Sequence, residues 1–301
     1  MKLAVVIPVR NRPALIEQCV RGVLACNWPA EQLELIVVDN ASTDDTAARA
    51  AAAGARVISE PRPNRCLARN RGARAATAEW IAFIDSDCLP DPGWLAELAA
   101  AIQASTDPHL AAVAGTVVGA PPANHVERYF EHRRWFDQAK YLNPPPGEPF
   151  SQPFAITANL CVKRATYLSL GGLDATLPHS GEDADWCWRL AAGGGTLAFA
   201  PAARVQHFHR ATALGLYRQA WHWGRGQADL FAKWQPAWHA THWIDPRYYI
   251  WALKGLLKAP VAFARERDPF LRRLPWYDFL ANAGLALGRL TGGLIRRKWV
   301  A

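Results

Sequence analysis

Short, almost unbroken apolar runs alternate with amphipathic or polar stretches through the first hundred residues. Leu3-Ala4-Val5-Val6-Ile7-Pro8-Val9 is nearly all apolar, the pattern of a strand covered on both faces. Pro13 then opens a helix at the first turn, where its missing N–H costs nothing. Ile16, Cys19, Val20 and Val23 share one face of that helix at the i, i+3, i+4, i+7 spacing. Leu33 to Asp39 reads as a second strand, and the cap-rich Asn40 to Thr46 leads into an Ala-rich helix from Ala47 to Ala53 that Gly54 ends. Ala55 to Ile58 is a third strand, Arg65 to Thr77 a helix, and Glu79 to Ile84 a fourth strand. Strand and helix alternating at this pitch predict an α/β fold: a Rossmann-type, mostly parallel sheet flanked by helices.

The fourth strand stops abruptly at Asp85-Ser86-Asp87. A buried strand ending this way delivers carboxylates to the carboxyl edge of the sheet, where open α/β folds bind ligands. Two carboxylates two residues apart suit a hard divalent cation that keeps substrate phosphates as further partners, and they equally suit a solvated turn. No Gly-x-Gly-x-x-Gly follows the first strand and no Gly-Lys-Ser/Thr occurs anywhere. The dinucleotide and P-loop classes thereby lose their phosphate cradles.

Four segments, Val5-Val6-Ile7-Pro8-Val9-Arg10-Asn11-Arg12, Val37-Val38-Asp39-Asn40-Ala41-Ser42-Thr43-Asp44, Ala68-Arg69-Asn70-Arg71-Gly72 and Phe83-Ile84-Asp85-Ser86-Asp87, resemble in order and spacing the family 2 glycosyltransferases of GT-A fold. Gly171-Gly172-Leu173-Asp174 and the run Gly181 to Leu190 resemble that family's acceptor-side segment, and Val205-Gln206-His207 its late histidine. The resemblance covers roughly residues 1 to 210 and implies a nucleotide-sugar donor, a glycan or lipid-linked acceptor, and a divalent cofactor, Mn2+ or Mg2+. It implies Asp87 and His207 as metal ligands, with His209 the alternative histidine. Asp85 would serve the ribose and the metal's water shell, with Ser86 beside it on the donor side. Asp39 would accept from the base ring, Arg10 and Arg69 would lie near the nucleotide, and Pro8 would shape the backbone beneath it. Asp39 also fits a turn, and the two arginines an ordinary solvated surface.

An acceptor hydroxyl needs a base, and the family's base is the second acid of its Glu-Asp pair, here Asp183. Ser180-Gly181-Glu182-Asp183 also reads as a capping box with Asp in place of Glu. Acids in a first helical turn are favoured by the macrodipole, which helps keep a carboxylate ionised. Glu182 and Asp185 are the weaker candidates, and Arg189 is expected to pair with one of them. Inversion at the anomeric carbon is implied by the family. His207 and His209 follow an expected strand from Ala202 to Gln206 and would share a face if that strand continued.

Six cysteines at 19, 26, 66, 88, 161 and 187 form no C-x-x-C, so they read as core residues of a reducing cytosol. A strand directly after Met1-Lys2 leaves no room for a signal peptide in this reading. Asn143 to Pro149 is a proline-rich loop between a donor half, to about residue 118, and an acceptor half, about 150–210. Charge then divides the chain. Residues 1–210 carry 20 Lys+Arg against 21 Asp+Glu, whereas residues 211–301 carry 14 against 5 and hold eight of the 14 tryptophans. Cations interleaved with indoles suit a helical extension at an anionic membrane surface. Lys254, Lys258 and Arg289 interrupt the candidate spans, so the expectation is peripheral attachment on the cytoplasmic face or plain packing, with these cations solvated. Nucleic acid is not an expected partner, because no recognition module accompanies the charge. The alternatives are a nucleotidyltransferase, which lacks its Gly-rich loop here, and a non-catalytic nucleotide or glycan binder.

Overall fold

The apolar runs form the strands they predict. A computed structural model describes residues 1–144, 152–235 and 246–295. Most of the proline-rich loop, and Trp238, Trp243 and Trp299, lie outside the described residues. The chain divides into two compact units. The first comprises Met1–Ala120, Phe136–Thr176 and Glu182–Phe208; the second comprises Pro121–Trp135, Leu177–Gly181 and His209–Ala301.

The first unit is built on β1 (Leu3–Val9), β2 (Leu33–Asp39), β3 (Arg56–Ser59), β4 (Trp80–Ile84), β5 (Cys88–Pro90), β6 (Leu110–Gly119), β7 (Asn159–Lys163) and β8 (Thr196–His207), in the spatial order β3-β2-β1-β4-β7-β6-β8-β5. The first four run parallel, so β1, β2 and β4 end at one edge. The other half is mixed: β7 is antiparallel to both β4 and β6, β8 runs parallel to β6, and β5 runs antiparallel to β8. Every residue of β1 is buried, which explains why it shows no alternation.

Helices α1 (Pro13–Leu24), α2 (Thr46–Ala52), α3 (Arg65–Ala75) and α4 (Trp94–Ala104) cover the sheet. The four apolar positions predicted for α1 are all fully buried. Gly54 ends α2 at φ +106, a conformation open to glycine at no steric cost. Gly72 of α3 lies so close to β1 and β2 that a Cβ there would collide with Val6 and meet Val38 at 3.0 Å.

The expected strand at Ala202 begins six residues earlier, at Thr196. Pro201 hid the first part. It is tolerated because the register of β8 against β6 breaks between Gly115 and Thr116, opposite that stretch.

The second unit carries α5 (His125–Arg133), α9 (Ala213–Trp234), α10 (Arg247–Arg265) and α11 (Pro269–Ile295); α6 (Gln138–Leu142), α7 (Arg164–Ser169) and α8 (Glu182–Ala192) belong to the first. Helices α9 and α11 approach backbone to backbone. A Cβ on Gly284 would stand 2.7 Å from the Tyr217 carbonyl oxygen, and one on Gly288 would strike the Trp221 carbonyl. Arg289 is fully buried rather than solvated. Its Nε donates to Gln227 at 2.8 Å and its guanidinium lies 4.3 Å from the Tyr248 ring, so hydrogen bonding and cation–π attraction offset its desolvation. Among the described residues, no helix is long and apolar enough to cross a membrane.

Candidate functional site

Parallel pairing of β1, β2 and β4 brings Arg10, Asp39 and Asp85 to the same sheet edge, with Pro8 buried in β1 opposite Val38. The loops after β1 and β2 are locked to each other. The Asn11 amide donates to Ser42 Oγ at 3.0 Å, the Thr43 amide donates to Asn11 Oδ1 at 2.9 Å, and the Arg12 amide donates to Thr46 Oγ1 at 2.8 Å. Asn11 and Ala41 both adopt left-handed backbone, φ 51 and φ 60, a cost of about 1 kcal/mol or more that the surrounding bonds must outweigh. Asn40 is buried and donates to the Glu60 and Arg62 carbonyls at 3.2 and 2.6 Å. Asp39 is thus held on a rigid floor, and its buried Oδ1 has no hydrogen-bond partner among the described residues. An open acceptor of this kind fits a ligand N–H. Arg10 is exposed just beyond β1.

Asp85, Ser86 and Asp87 are half-buried. The antiparallel pairing of β5 with β8 sets Cys88 opposite His207, which leaves His207 Nε2 3.6 Å from Asp87 Oδ1. The Phe208 amide donates to the Asp87 carbonyl at 2.9 Å, and Phe136 stacks on the His207 ring at 4.2 Å between centroids. Phe136 carried no signal in the sequence, since it contributes only its flat face. His209 goes elsewhere: β8 ends at His207, and His209 Nε2 sits 2.6 Å from Glu131, stacked on Phe130 in the second unit. The expected shared face is lost because the strand does not continue.

Asp87, Cys88 and His207 offer ligand atoms within 4.8 Å of one another. Cys88 is buried and desolvation pushes its thiol well above the ordinary range, with Asp85 and Asp87 adding to the effect. Asp87 and His207 are the donors of this group that suit a hard or borderline divalent cation. The usable donors are a carboxylate and an imidazole beside a second carboxylate, a set that fits Mn2+ or Mg2+ better than a thiophilic metal.

Helix α3 contributes two buried or half-buried guanidinium groups one turn apart. Arg69, 3 % exposed, pairs with Asp85. Arg65 Nε lies 2.7 Å from Glu182 Oε1, and Arg69 Nη1 lies 3.7 Å from the same oxygen. Burial alone would raise the Asp85 carboxyl; Arg69, helped by His207, outweighs it and holds the group below the ordinary carboxylate range. Nε and Nη1 of Arg69 make no hydrogen bond among the described residues, so this side chain keeps donors for an anion. Next to it, buried Asn70 accepts from the Tyr167 hydroxyl and the Leu173 amide at 2.6 and 2.8 Å and donates to the Leu173 carbonyl at 2.8 Å. These bonds pin Gly171-Gly172-Leu173 against α3, and a Cβ on Gly172 would collide with Asn70.

Glu182 and Asp183 open α8. The expected capping box is absent. The residue before Glu182 is Gly181 at φ +87, which has no side chain to cap with. Ser180 Oγ instead donates to the His222 and Trp223 carbonyls, at 3.3 and 3.4 Å. Arg189 pairs with Asp185 at 2.9 Å and also donates to the Gly172 carbonyl at 2.7 Å. Asp183 accepts from the Ala184 amide at 2.9 Å. Its carboxyl is pushed up to about 7, first by desolvation and then by the neighbouring Glu182 charge. A carboxylate so placed can take up a proton near neutral pH. A series of ion pairs therefore runs Asp85–Arg69–Glu182–Arg65, with Asp183 beside it. Sequence reasoning missed Arg65 and underrated Glu182. The available signal was two arginines four residues apart, on one face of a helix that also carries Arg71 and Arg74.

The family model described as Glycosyl transferase family 2 matches residues 4–157. A pre-mycofactocin glycosyltransferase of Mycobacterium tuberculosis is 34% identical over 216 residues, 69% of this chain and 43% of that protein. The chain thus spans under half the length of that relative. Among solved structures, mannosyltransferase PcManGT from Pyrobaculum calidifontis, in complex with GDP-Man and Mn2+, has a TM-score of 0.63 at 20% identity, covering 95% of this chain and 87% of that one. This is a likeness of fold. Glucosyl-3-phosphoglycerate synthase from M. tuberculosis, in complex with Mn2+, UDP and phosphoglyceric acid, has a TM-score of 0.54 at 26% identity, covering 77% and 78%.

Proposed function

Since the chain belongs to the family 2 glycosyltransferases, we propose that it moves a sugar from a nucleotide-sugar donor to a hydroxyl of a glycan or lipid-linked acceptor, inverting the anomeric carbon with Mn2+ or Mg2+ as cofactor. In this reading residues 1–210 are catalytic and 211–301 are an extension. The six buried cysteines, none of them in a disulfide among the described residues, fit a reducing cytoplasm.

The observation that carries the reading is the ion-pair series linking Asp85 to the start of α8 beside Asp183. Departure of a nucleoside diphosphate builds negative charge on its outer phosphate. Arg69, already buried and with Nε and Nη1 making no hydrogen bond among the described residues, supplies donors there without reorganising. Asp87 and His207 would hold the metal, with Asp85 toward its water shell, and the bound ion would act as a Lewis acid on the diphosphate. Asp39 accepts from the nucleobase, Arg10 and Ser86 flank the donor, and Pro8 keeps the floor flat. Asp183 takes the proton of the attacking hydroxyl. One displacement with one base gives inversion.

Thermal-shift titration with UDP, GDP, dTDP and CMP, each with Mn2+, Mg2+ or EDTA, tests the donor half. A nucleoside diphosphate should stabilise the fold only with metal, and Asp87→Asn should remove that effect. A nucleotidyltransferase would instead release pyrophosphate from a nucleoside triphosphate and a sugar 1-phosphate. A non-catalytic binder would keep every property in Asp183→Asn.

A further inference from the structure

We propose that the outer face of α10 is a membrane-insertion surface, which lays this helix in the plane of an anionic bilayer. Helix α10 meets α11 through small residues. Ala252 and Gly255 are buried, and a Cβ on Gly255 would stand 2.7 Å from the Pro275 carbonyl oxygen. Large apolar side chains face outward: Leu253 is 56% exposed, Leu257 65% and Val261 53%. At roughly 100° per residue, these outward residues fill one continuous arc on the side away from Ala252 and Gly255.

The cations define the second feature. Arg247, Lys254, Lys258 and Arg265 are spaced seven, four and seven residues apart, which sets them in one line within about 40° along the helix. All four are exposed, and the helix holds no acidic residue. The line borders the apolar arc, with Trp251, 44% exposed, beside it. Three lengthwise zones result: a small-residue zone on α11, an aliphatic and aromatic zone, and a cationic edge between apolar zone and water.

This is the arrangement an interfacial helix needs. Aliphatic groups enter the acyl boundary, the indole sits at headgroup level, and lysine stems lie along apolar surface while their ammonium groups reach lipid phosphate. A second copy seated on the same face would bring two cationic lines together. A run of large exposed apolar groups over about four helical turns exceeds what monomer surfaces leave uncovered without a partner.

Flotation of the full chain with phosphatidylcholine vesicles, with and without phosphatidylglycerol, at low and high salt, tests the proposal. The protein should float with the anionic vesicles at low salt and be released by salt. Lys254→Gln with Lys258→Gln should weaken partitioning about 30-fold, from about 1 kcal/mol per cation. Leu257→Asp with Val261→Ser should abolish flotation with all cations in place. These side chains are exposed, so circular dichroism and melting temperature should match the parent. Wild-type protein that stays with the buffer, or folded double variants that float like wild type, would overturn the proposal. So would a concentration-dependent dimer abolished by Leu257→Asp without any flotation, which would assign the face to a second copy.

Discussion

Replacing Asp183 with Asn should stop sugar transfer and, above neutral pH, make the protein more stable. Folding raises the Asp183 carboxyl from the ordinary 3.8 to about 7. A carboxyl whose pKa is raised by folding leaves stability whole below pH 4. Stability then falls as pH climbs toward 7, because the folded state must give up a proton that the unfolded chain has already lost. At about 1.4 kcal/mol per pH unit the fully buried limit is about 4 kcal/mol. Asp183 is only half-buried, so solvent screening reduces this to about 2 kcal/mol. Asparagine keeps an oxygen for the Ala184 amide and carries no charge beside Glu182. At about 2–3 °C per kcal/mol for a chain of this size, the variant should melt about 4–6 °C above wild type at pH 8, and the gap should shrink steadily by pH 5. Differential scanning calorimetry of both proteins across that range measures it. A gap independent of pH, or a variant less stable at pH 8, would refute the assignment of the raised carboxyl. Transfer should meanwhile fall at least about a hundredfold.

Glu182→Gln removes the charge that helps raise Asp183, so the acid limb of kcat/KM should move down by about one pH unit, as a pH–rate profile would reveal. Arg69→Met should weaken nucleoside diphosphate affinity at least tenfold by calorimetry, about 1.4 kcal/mol or more, because it deletes the buried anion donors and leaves Asp85 unpaired. His207→Ala should loosen Mn2+ binding, read by electron paramagnetic resonance, by about 10- to 100-fold while the β5–β8 pairing keeps the fold. Gly72→Ala should cost about 1–3 kcal/mol in denaturant unfolding, since its Cβ meets Val6 and Val38 with no room to yield.

The parts of the fold visible in the sequence were those whose signal is local. Runs such as Leu3–Val9 and the four-position face of α1 need only neighbouring residues to declare themselves. The reversed direction of β7, the three-residue β5 and the bulged start of β8 depend on partners far along the chain. The site divides the same way. Asp39 and Asp85 follow from where β2 and β4 stop. The meeting of Arg65 with Glu182 joins residues 117 positions apart, and no local spacing announces it. Gly181 misled the capping expectation because serine one residue too early resembles a cap in text but lies outside the turn it would need to close.

The glycine-lined approach of α9 and α11 also sets how this chain is free to change over evolutionary time. Where helix backbones touch, any added carbon on Gly284 or Gly288 must displace a carbonyl on the facing helix, so neither side drifts without the other. Helix α10 buries small residues, Ala252 and Gly255, against α11 and turns Leu253, Leu257 and Val261 outward. Its outward composition can be rewritten one residue at a time while the pair beneath it stays frozen. Relatives of this chain should therefore keep the α9–α11 glycines and differ most along α10, which makes that helix the readily retuned part of an otherwise conservative unit.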